Sequence, residues 1–431
     1  MRVLLISKEG DGLGVAQRLA LEGNDVDVYI AEERFAKAGQ GLVNRVLDWV
    51  RSSRDADLIL ADCVGLGRYE DALRKLGTPF IGCSEVLDKI ELDRWQGMEM
   101  FRRAGITIPP TYRFSSTREA LALPSEHGWE PGWVIKPDGN VSTAKTMVVR
   151  EQNQWEQCVG ALQPGSTGIV QKIVEGVEVS TEGWFNGSRF VQYNHTWEDK
   201  RFLVGDLGQN TGCMGNIVLA CGADKLVRGT VQRMQPFLRL LDYRGPFDIN
   251  CIVNADGAFA LEATSRMGYD AVEALLEGLD EPATLFLGDI AGGVNREPSV
   301  TEQTMVAVRL SIPPWPMRKP DRDDKPSLVT GIDKSTLPHL FLTDLYCEDG
   351  VYYTAGGDGV LLKATAIGRP DNHKTDKSGR PYNTDYTWEA RRRVYRLLGA
   401  INVHNKQYRT DIGTRVNEDI AKLKEWGWLT V

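Results

Sequence analysis

Phe247-Asp248-Ile249-Asn250-Cys251-Ile252-Val253-Asn254-Ala255-Asp256-Gly257-Ala258-Phe259-Ala260-Leu261-Glu262-Ala263 reads as two strands, 247–253 and 258–263, joined by a turn. Branched and aromatic residues fill the flanks, and Asn-Ala-Asp-Gly between them is hairpin chemistry. Asp248 opens the first strand and Glu262, fourteen residues later, closes the second. A short hairpin is expected to set two such positions side by side on one face. Adjacent carboxylates raise each other's pKa unless a cation lies between them. Magnesium, a hard ion that takes oxygen ligands and shares its shell with phosphates, is the expected occupant. The ordinary alternative is a solvated or salt-bridged pair.

Upstream of the hairpin, 226–241 has the pattern of one amphipathic helix. Before it, 134–136, 146–150, 168–172, 177–185 and 189–193 are strand-like and separated by turns such as Asn186-Gly187, which implies a mostly antiparallel lobe. The first hundred residues differ. There the strand-like runs 3–7, 26–30, 58–61 and 79–82 alternate with amphipathic stretches such as 15–21 and 68–76, the signature of a parallel sheet with helices on both faces. Gly105 and Pro109-Pro110 close that part. A third texture begins near Thr304, with strand-like 306–312, 351–353 and 359–366, a helix at 386–398, and a proline-rich, charged surface excursion at 314–325. The expected organisation is therefore multidomain, α/β and α+β. An N-terminal parallel domain spans 1–108, a central domain spans 109–300 with a mobile lobe at about 120–190, and a mixed β/α domain spans 301–431.

Composition narrows the function classes. A chain of 431 residues with 42% hydrophobic and 26% charged residues is globular and too long for one ordinary core. The formal charge of −8 argues against broad binding to nucleic acid or anionic membrane. No apolar run approaches the roughly 20 residues of a bilayer span, and the opening Met1-Arg2-Val3-Leu4-Leu5-Ile6-Ser7 turns polar too soon for a signal peptide. The seven cysteines are odd in number, scattered and never spaced CxxC, as in a reduced cytoplasmic chain without a zinc knuckle. The five histidines are equally dispersed.

Three further features have chemical potential. Lys136 ends the apolar run Trp133-Val134-Ile135, and Lys145 lies in the turn before 146–149. Such point charges suit nucleotide phosphates, or simply snorkel over an apolar face. Gly205-Asp206-Leu207-Gly208-Gln209-Asn210-Thr211-Gly212-Cys213-Met214-Gly215 follows Lys200-Arg201, and its four glycines are suited either to an anion-binding nest or to plain turns. Gly10-Asp11-Gly12-Leu13-Gly14 stands between a strand and a helix, the setting for a phosphate at a helix N-terminus, but it is not GxGxxG.

The order of these elements closely resembles the glycinamide ribonucleotide synthetase (phosphoribosylamine–glycine ligase) family of the ATP-grasp superfamily, over nearly the whole chain. The segment 206–215 looks like that family's D-x-GPNTGGMG loop, preceded by Asp199-Lys200-Arg201. Pro79-Phe80-Ile81-Gly82-Cys83-Ser84, 134–136 with Lys145, and Glu175-Gly176-Val177-Glu178-Val179-Ser180 match as well. So do Thr365-Ala366-Ile367-Gly368 and Tyr408-Arg409-Thr410-Asp411-Ile412-Gly413. The resemblance implies a pre-ATP-grasp domain, an ATP-grasp domain and a small C-terminal domain. It also implies an ATP- and magnesium-dependent ligase (manganese being the alternative ion) that joins an amino acid such as glycine to a phosphorylated amine. By the same resemblance Lys136 and Lys145 touch ATP phosphates, and Gln171, Lys172 and Val174 form the hinge against adenine through backbone groups. Glu178 then accepts the ribose hydroxyls, and Asp248, Glu262 and Thr264 hold the metal. Arg266 offsets charge on the transferred phosphoryl group with Asp206 as a second catalytic group, while Lys200, Asn210, Thr211, Gly212, Arg409 and Asp411 line the substrate side.

The departures cluster on that substrate side. Thr264 stands where the family has asparagine, so Asn250 or water is expected to complete the metal shell. Ser142-Thr143-Ala144-Lys145-Thr146 replaces a glycine-rich loop, and Arg266-Met267-Gly268-Tyr269-Asp270 replaces RxGDPE. Leu13-Gly14-Val15-Ala16 stands for GREHA, Asp62-Cys63-Val64-Gly65 for GPE, and Gly356-Gly357-Asp358 for GGR. The alternatives are a ligase with another amine, such as a modified nucleotide or a sugar phosphate, and a nucleotide-binding protein without turnover.

Overall fold

The computed structural model describes residues 1–139, 146–317, 325–369 and 385–430. Lys145, most of the loop around it, and most of the 314–325 excursion lie outside the described residues.

The N-terminal strands build a five-stranded parallel sheet in the spatial order Asn44–Arg45, Asp25–Ile30, Arg2–Ser7, Leu58–Ala61, Phe80–Ile81. The two central strands are apolar and almost wholly buried, as a sheet covered on both faces requires, whereas Asp25–Ile30 alternates and is half solvated. Helix starts follow side-chain caps. Ser84 Oγ accepts from Leu87 N at 3.2 Å, and Asp93 Oδ1 from Gln96 N at 3.0 Å.

Residues 111–172 form a lobe of their own. Its four-stranded antiparallel sheet orders Thr111–Phe114, Gly168–Lys172, Trp133–Pro137 and Met147–Val149. A separate core, with Phe114, Trp133 and Trp155 at its centre, stabilises it independently of the rest. The mobile lobe expected at 120–190 therefore begins and ends earlier, because Val177–Asn186 pairs into the next sheet instead.

That next sheet is eight-stranded, antiparallel at every pairing, and carries the site. Its order is Ala258–Thr264, Arg244–Val253, Val177–Asn186, Phe190–Leu203, Leu207–Cys221, Met305–Ser311, Val360–Ile367, Leu340–Leu342. The expected boundary at 300 falls inside this sheet, since Leu207–Cys221 bonds directly to Met305–Ser311. One face covers the largest core cluster. The other shares a cluster with the N-terminal domain and the helices Ala271–Glu277 and Ala283–Gly292, so those parts are packed as one body. The single helix expected over 226–241 is broken. Lys225–Gly229, a 3-10 turn at Val231–Met234 and Gln235–Leu240 replace it, with non-helical φ/ψ at Thr230 and Pro236 starting the last piece.

Glu277 ties four segments together. Its Oε1 pairs with His339 Nδ1 at 2.6 Å, its Oε2 accepts from Thr365 Oγ1 at 3.1 Å, and Arg18 Nη1 lies 3.8 Å from Oε2. Glu277→Ala is expected to lower the unfolding free energy by about 1–3 kcal/mol in urea titrations, discounted because His339 is partly solvated. The hydrogen bond to Glu277 raises the pKa of His339. Its share of the tie is complete below the ordinary histidine pKa and is lost as pH rises through the folded-state value. The gap between variant and parent should thus narrow in alkaline buffer. An unchanged gap would refute the tie.

Candidate active site

The hairpin expected over 247–263 is present, with its turn closed by Asn254 Oδ1 accepting from Asp256 N at 2.9 Å and Gly257 N at 3.1 Å. Register decides what it presents. Val253 faces Ala258 and Cys251 faces Ala260, but a bulge then makes Asn250 face Glu262 and Asp248 face Thr264. Leu261 is the extra residue. In an unbulged hairpin Glu262 would pair with Ile249 and point to the opposite face; the one-residue slip brings it to the face of Asp248 and Asn250. The two carboxylates are diagonal rather than directly opposite, and Asn250 and Thr264 complete a four-residue oxygen-bearing patch. The bulge also presents the Leu261 carbonyl, which accepts from Lys136 Nζ at 3.1 Å.

Neighbouring strands continue this polar face. Ser180 faces Asn250 on one side and Thr196 on the other, Glu182 faces Asp248 and Asn194, and Glu198 faces Asn216. Around Glu262 the charges converge. Its Oε2 pairs with Arg94 Nη1 at 2.8 Å. Burial pushes its pKa up, but Arg94, Lys200 and Lys136 outweigh burial and hold it down to about 2. Lys136, only 6% exposed, is lowered to about 8 by burial, against the pull of Glu262. Lys200 donates to Glu178 Oε1 at 2.9 Å and lies 3.1 Å from Glu198 Oε2. Burial works against its charge, yet Glu178, Glu198 and Glu262 leave its pKa well above the ordinary lysine value. Glu178 is lowered chiefly by Lys200. Asp248 is raised, first by burial and then by Glu182 and Glu198.

A divalent cation fits this patch. Asp248 Oδ1 and Asn250 Oδ1 are buried and have no hydrogen-bond partner among the described residues, and Glu262 and the Thr264 hydroxyl add further oxygens beside them. Asp248, Glu262 and Asn250 could hold such an ion, with the Thr264 hydroxyl next to Asp248.

Other expected site residues lie elsewhere. Gln171 turns its side chain to Met98 Sδ and Thr111 Oγ1, and Lys172 Nζ donates to the Gly128 and Glu130 carbonyls, while their strand is paired on both sides, to Thr111–Phe114 and to Trp133–Pro137. Val174 is half-buried just beyond that strand. The glycine-rich segment is not a nest. A 3-10 turn at Val204–Asp206 leads into strand Leu207–Cys221, whose ladder to Phe190–Leu203 includes Asn210 opposite Arg201. Thr211 Oγ1 donates to Lys200 O at 2.8 Å, and Gly212 is part of the strand. Asp206 does not face the metal patch. Its carboxylate is ion-paired with Arg409 at 3.0 Å and Arg415 at 2.7 Å. Arg409, 2% exposed, also grips Asp411 through two bonds of 2.8 Å each, and the pair braces the hairpin end. Arg266 is ion-paired with Glu91 at 2.9 Å.

Sequence reasoning missed Arg94, Glu182, Asn194 and Asn216; a signal existed only for Glu182 and Asn194, in the period-two run of polar residues at 178, 180, 182 and at 194, 196, 198, 200.

A two-lobed cleft, with a lysine from the small sheet over an acidic and amide patch on the large one, defines the ATP-grasp class. Within that class the chain resembles the glycinamide ribonucleotide synthetase family over nearly its whole length. Residues 95–261 match the family model described as the phosphoribosylglycinamide synthetase, ATP-grasp (A) domain. The phosphoribosylamine–glycine ligase of Streptococcus pneumoniae is 24% identical over 96% of this chain and 99% of its own length. That of Streptomyces coelicolor is 26% identical over 80% of each. Among solved structures, the phosphoribosylamine–glycine ligase of Thermotoga maritima superposes with a TM-score of 0.71 at 19% identity, covering 96% of this chain and 100% of that one. The biotin carboxylase of Campylobacter jejuni superposes with a TM-score of 0.63 at 11% identity, covering 98% of this chain and 96% of that one. Among the described residues no helix is long and apolar enough to cross a membrane, and all seven cysteines are free thiols.

Proposed function

We propose that the chain is a cytoplasmic ATP- and magnesium-dependent carboxylate–amine ligase that works through an acyl phosphate, joining glycine to phosphoribosylamine to give glycinamide ribonucleotide, a step of purine biosynthesis. The observation that carries this reading is the patch in which the unpartnered oxygens of Asp248 and Asn250 lie beside Glu262, with Lys136 and Lys200 close by. Magnesium bound there supplies charge neutralisation at the transferred phosphoryl group. Lys136 and Lys145 hold phosphate oxygens, and the backbone of 171–174 meets the adenine. Glu178, at the mouth, accepts the ribose hydroxyls once Lys200 shifts from it. Arg94 keeps Glu262 ionised and oriented, and Arg266, steadied by Glu91, faces the reacting groups. Phosphorylation turns the poor oxide leaving group of a carboxylate into phosphate, and the 111–172 lobe excludes water from the resulting acyl phosphate. No protein nucleophile is needed.

A second reading changes the amine. Asp62 Oδ2 accepts from Gly12 N at 2.7 Å at the start of helix Leu13–Leu21, so a protein carboxylate already sits where an anion of a substrate would be welcome. This favours an acceptor that is not phosphorylated at that point. A panel separates the two. With ATP, magnesium, glycine and phosphoribosylamine, the protein is expected to release ADP and phosphate in a glycine-dependent reaction that EDTA abolishes. Dependence on another amine supports the second reading, and tight ATP binding without any turnover would sink both.

A further inference from the structure

Cysteines and histidines are dispersed along the sequence, but the fold brings one of each together with a carboxylate. One ring nitrogen of His195, the Cys221 sulfur and one carboxylate oxygen of Asp224 all lie within 4.8 Å of one another. Strand pairing explains the convergence. Tyr193 faces Cys221 and His195 faces Leu219 on adjoining strands, so His195 and Cys221 are diagonal neighbours on one face. Asn194 and Thr196, which belong to the polar face, flank His195 and point the other way, so this cluster is separate from the patch around Glu262. After Cys221 the chain turns tightly, with Asp224 N donating to Gly222 O at 2.9 Å, and Asp224 caps the helix Lys225–Gly229.

The two buried members are each held by their other polar atom. Asp224 Oδ1 accepts from Val227 N at 2.9 Å, which leaves Oδ2 facing His195 Nε2 at 2.8 Å. Across the ring, His195 Nδ1 meets Thr181 Oγ1 at 3.1 Å. A hydroxyl donates or accepts, so Thr181 suits either tautomer. Without a cation Nε2–H donates to Asp224; with one, Nδ1–H donates to Thr181 and Nε2 is free to ligate. Cys221 is a free, partly exposed thiol beside the exposed Gly222–Ala223 turn, where a methyl built on Gly222 would meet nothing within 4 Å, so an ion has a way in. A His–Asp pair at a helix start is ordinary packing; the thiol added to it makes a set of nitrogen, sulfur and oxygen donors that zinc takes. At zinc bond lengths tetrahedral donors stand roughly 3.3–3.6 Å apart, between the 2.8 Å of the His195–Asp224 contact and the 4.8 Å that bounds the cluster. We infer that His195, Cys221 and Asp224 form a zinc site, completed by water on the Cys221 side, which fastens the strands Phe190–Leu203 and Leu207–Cys221 to the helix Lys225–Gly229. It goes beyond the ligase reading and does not depend on it. The all-oxygen patch around Glu262 suits the harder magnesium ion.

The test uses the full chain, stripped with EDTA and returned to buffer with excess magnesium to fill the oxygen patch. It is titrated with zinc, and with cobalt(II) as a spectroscopic stand-in. The parent should bind one equivalent of cobalt with a thiolate-to-metal charge-transfer band and the strong visible bands of a four-coordinate ion, and zinc should displace it. Cys221→Ser should lose the charge-transfer band, and its zinc affinity should fall on the order of a hundredfold or more, because even the loss of an outer hydrogen bond to a ligand costs roughly 10–100-fold. Thr181→Val should show that smaller loss and keep the band. Zinc should raise the thermal midpoint of the parent and leave that of Cys221→Ser where it was. If Cys221→Ser does not fold, Asp224→Asn replaces it, since asparagine keeps the helix cap but is a poor zinc ligand, and its zinc affinity should fall as far. Equal zinc affinity in parent and variant, cobalt bound by the parent without the charge-transfer band, or no binding by the parent in the presence of magnesium would overturn the site.

Discussion

Glu262→Gln is expected to lower turnover roughly 10²–10³-fold, the cost of losing a fixed charge aimed at the transition state, while leaving the fold intact. Glutamine keeps an oxygen for Arg94 Nη1, now 2.8 Å from Glu262 Oε2, so the packing of that buried guanidinium survives. Alanine is the less clean test, because Arg94 is itself buried and would be left uncompensated. The effect arises because Glu262 is the one carboxylate of the patch that three cations hold ionised, whereas Asp248 is pushed toward its neutral form by burial and by Glu182 and Glu198. Removing the anchored charge weakens metal retention, so the variant should need more magnesium to reach its remaining rate. The assay follows ADP release across a magnesium titration, with circular dichroism for the fold. Turnover within threefold of the parent at all magnesium levels would remove Glu262 from the metal site.

Much of the fold was legible because patterning sets it. Val3–Ile6 and Leu58–Leu60 are apolar at every position, which only a doubly covered parallel strand tolerates. The site was legible in its residue types and less so in its geometry. The hairpin at 247–263 announces itself by its turn residues, yet an ideal hairpin counted from that turn sends Glu262 to the wrong face. The bulge at Leu261 that corrects it has no glycine or proline to mark it. The glycines of 205–215 suggested a loop, and the ladder to Phe190–Leu203 took them into a strand instead, because cross-strand partners outweigh local flexibility. Asp206, Arg409 and Asp411 match a motif in sequence, but the motif records no partners. Only in three dimensions do Arg409 and Arg415 close on Asp206. Arg94 was invisible for the same reason, since nothing within its own helix shows that it reaches a residue 168 positions away.

Lys136→Met should reduce kcat/KM for ATP by roughly 10²–10³-fold, the scale of removing one preorganised electrostatic contact to a transferring phosphoryl group. Lys136 extends from the 111–172 lobe across the cleft to Leu261 O, so it is the side chain through which lobe closure and the metal patch meet. Arginine should not rescue it. The site is 6% exposed and shaped for a point charge, and a planar guanidinium brings five donors for which one carbonyl and the phosphates give no matching fork. A second signature follows from the sign of its shift. In the free protein burial holds Lys136 at about 8, so above that pH it is largely neutral. Phosphates brought against it favour the charged form and raise its pKa, so ATP binding at pH 9 should take up close to one proton. Calorimetry of ATP binding in two buffers of different ionisation enthalpy measures that uptake directly. The parent should show it at pH 9 and lose it near pH 6.5, where the lysine is already charged, and Lys136→Met should show neither. Equal proton uptake by parent and variant at pH 9 would place the phosphates away from Lys136, and the cleft would then need another way to hold a nucleotide over Glu262.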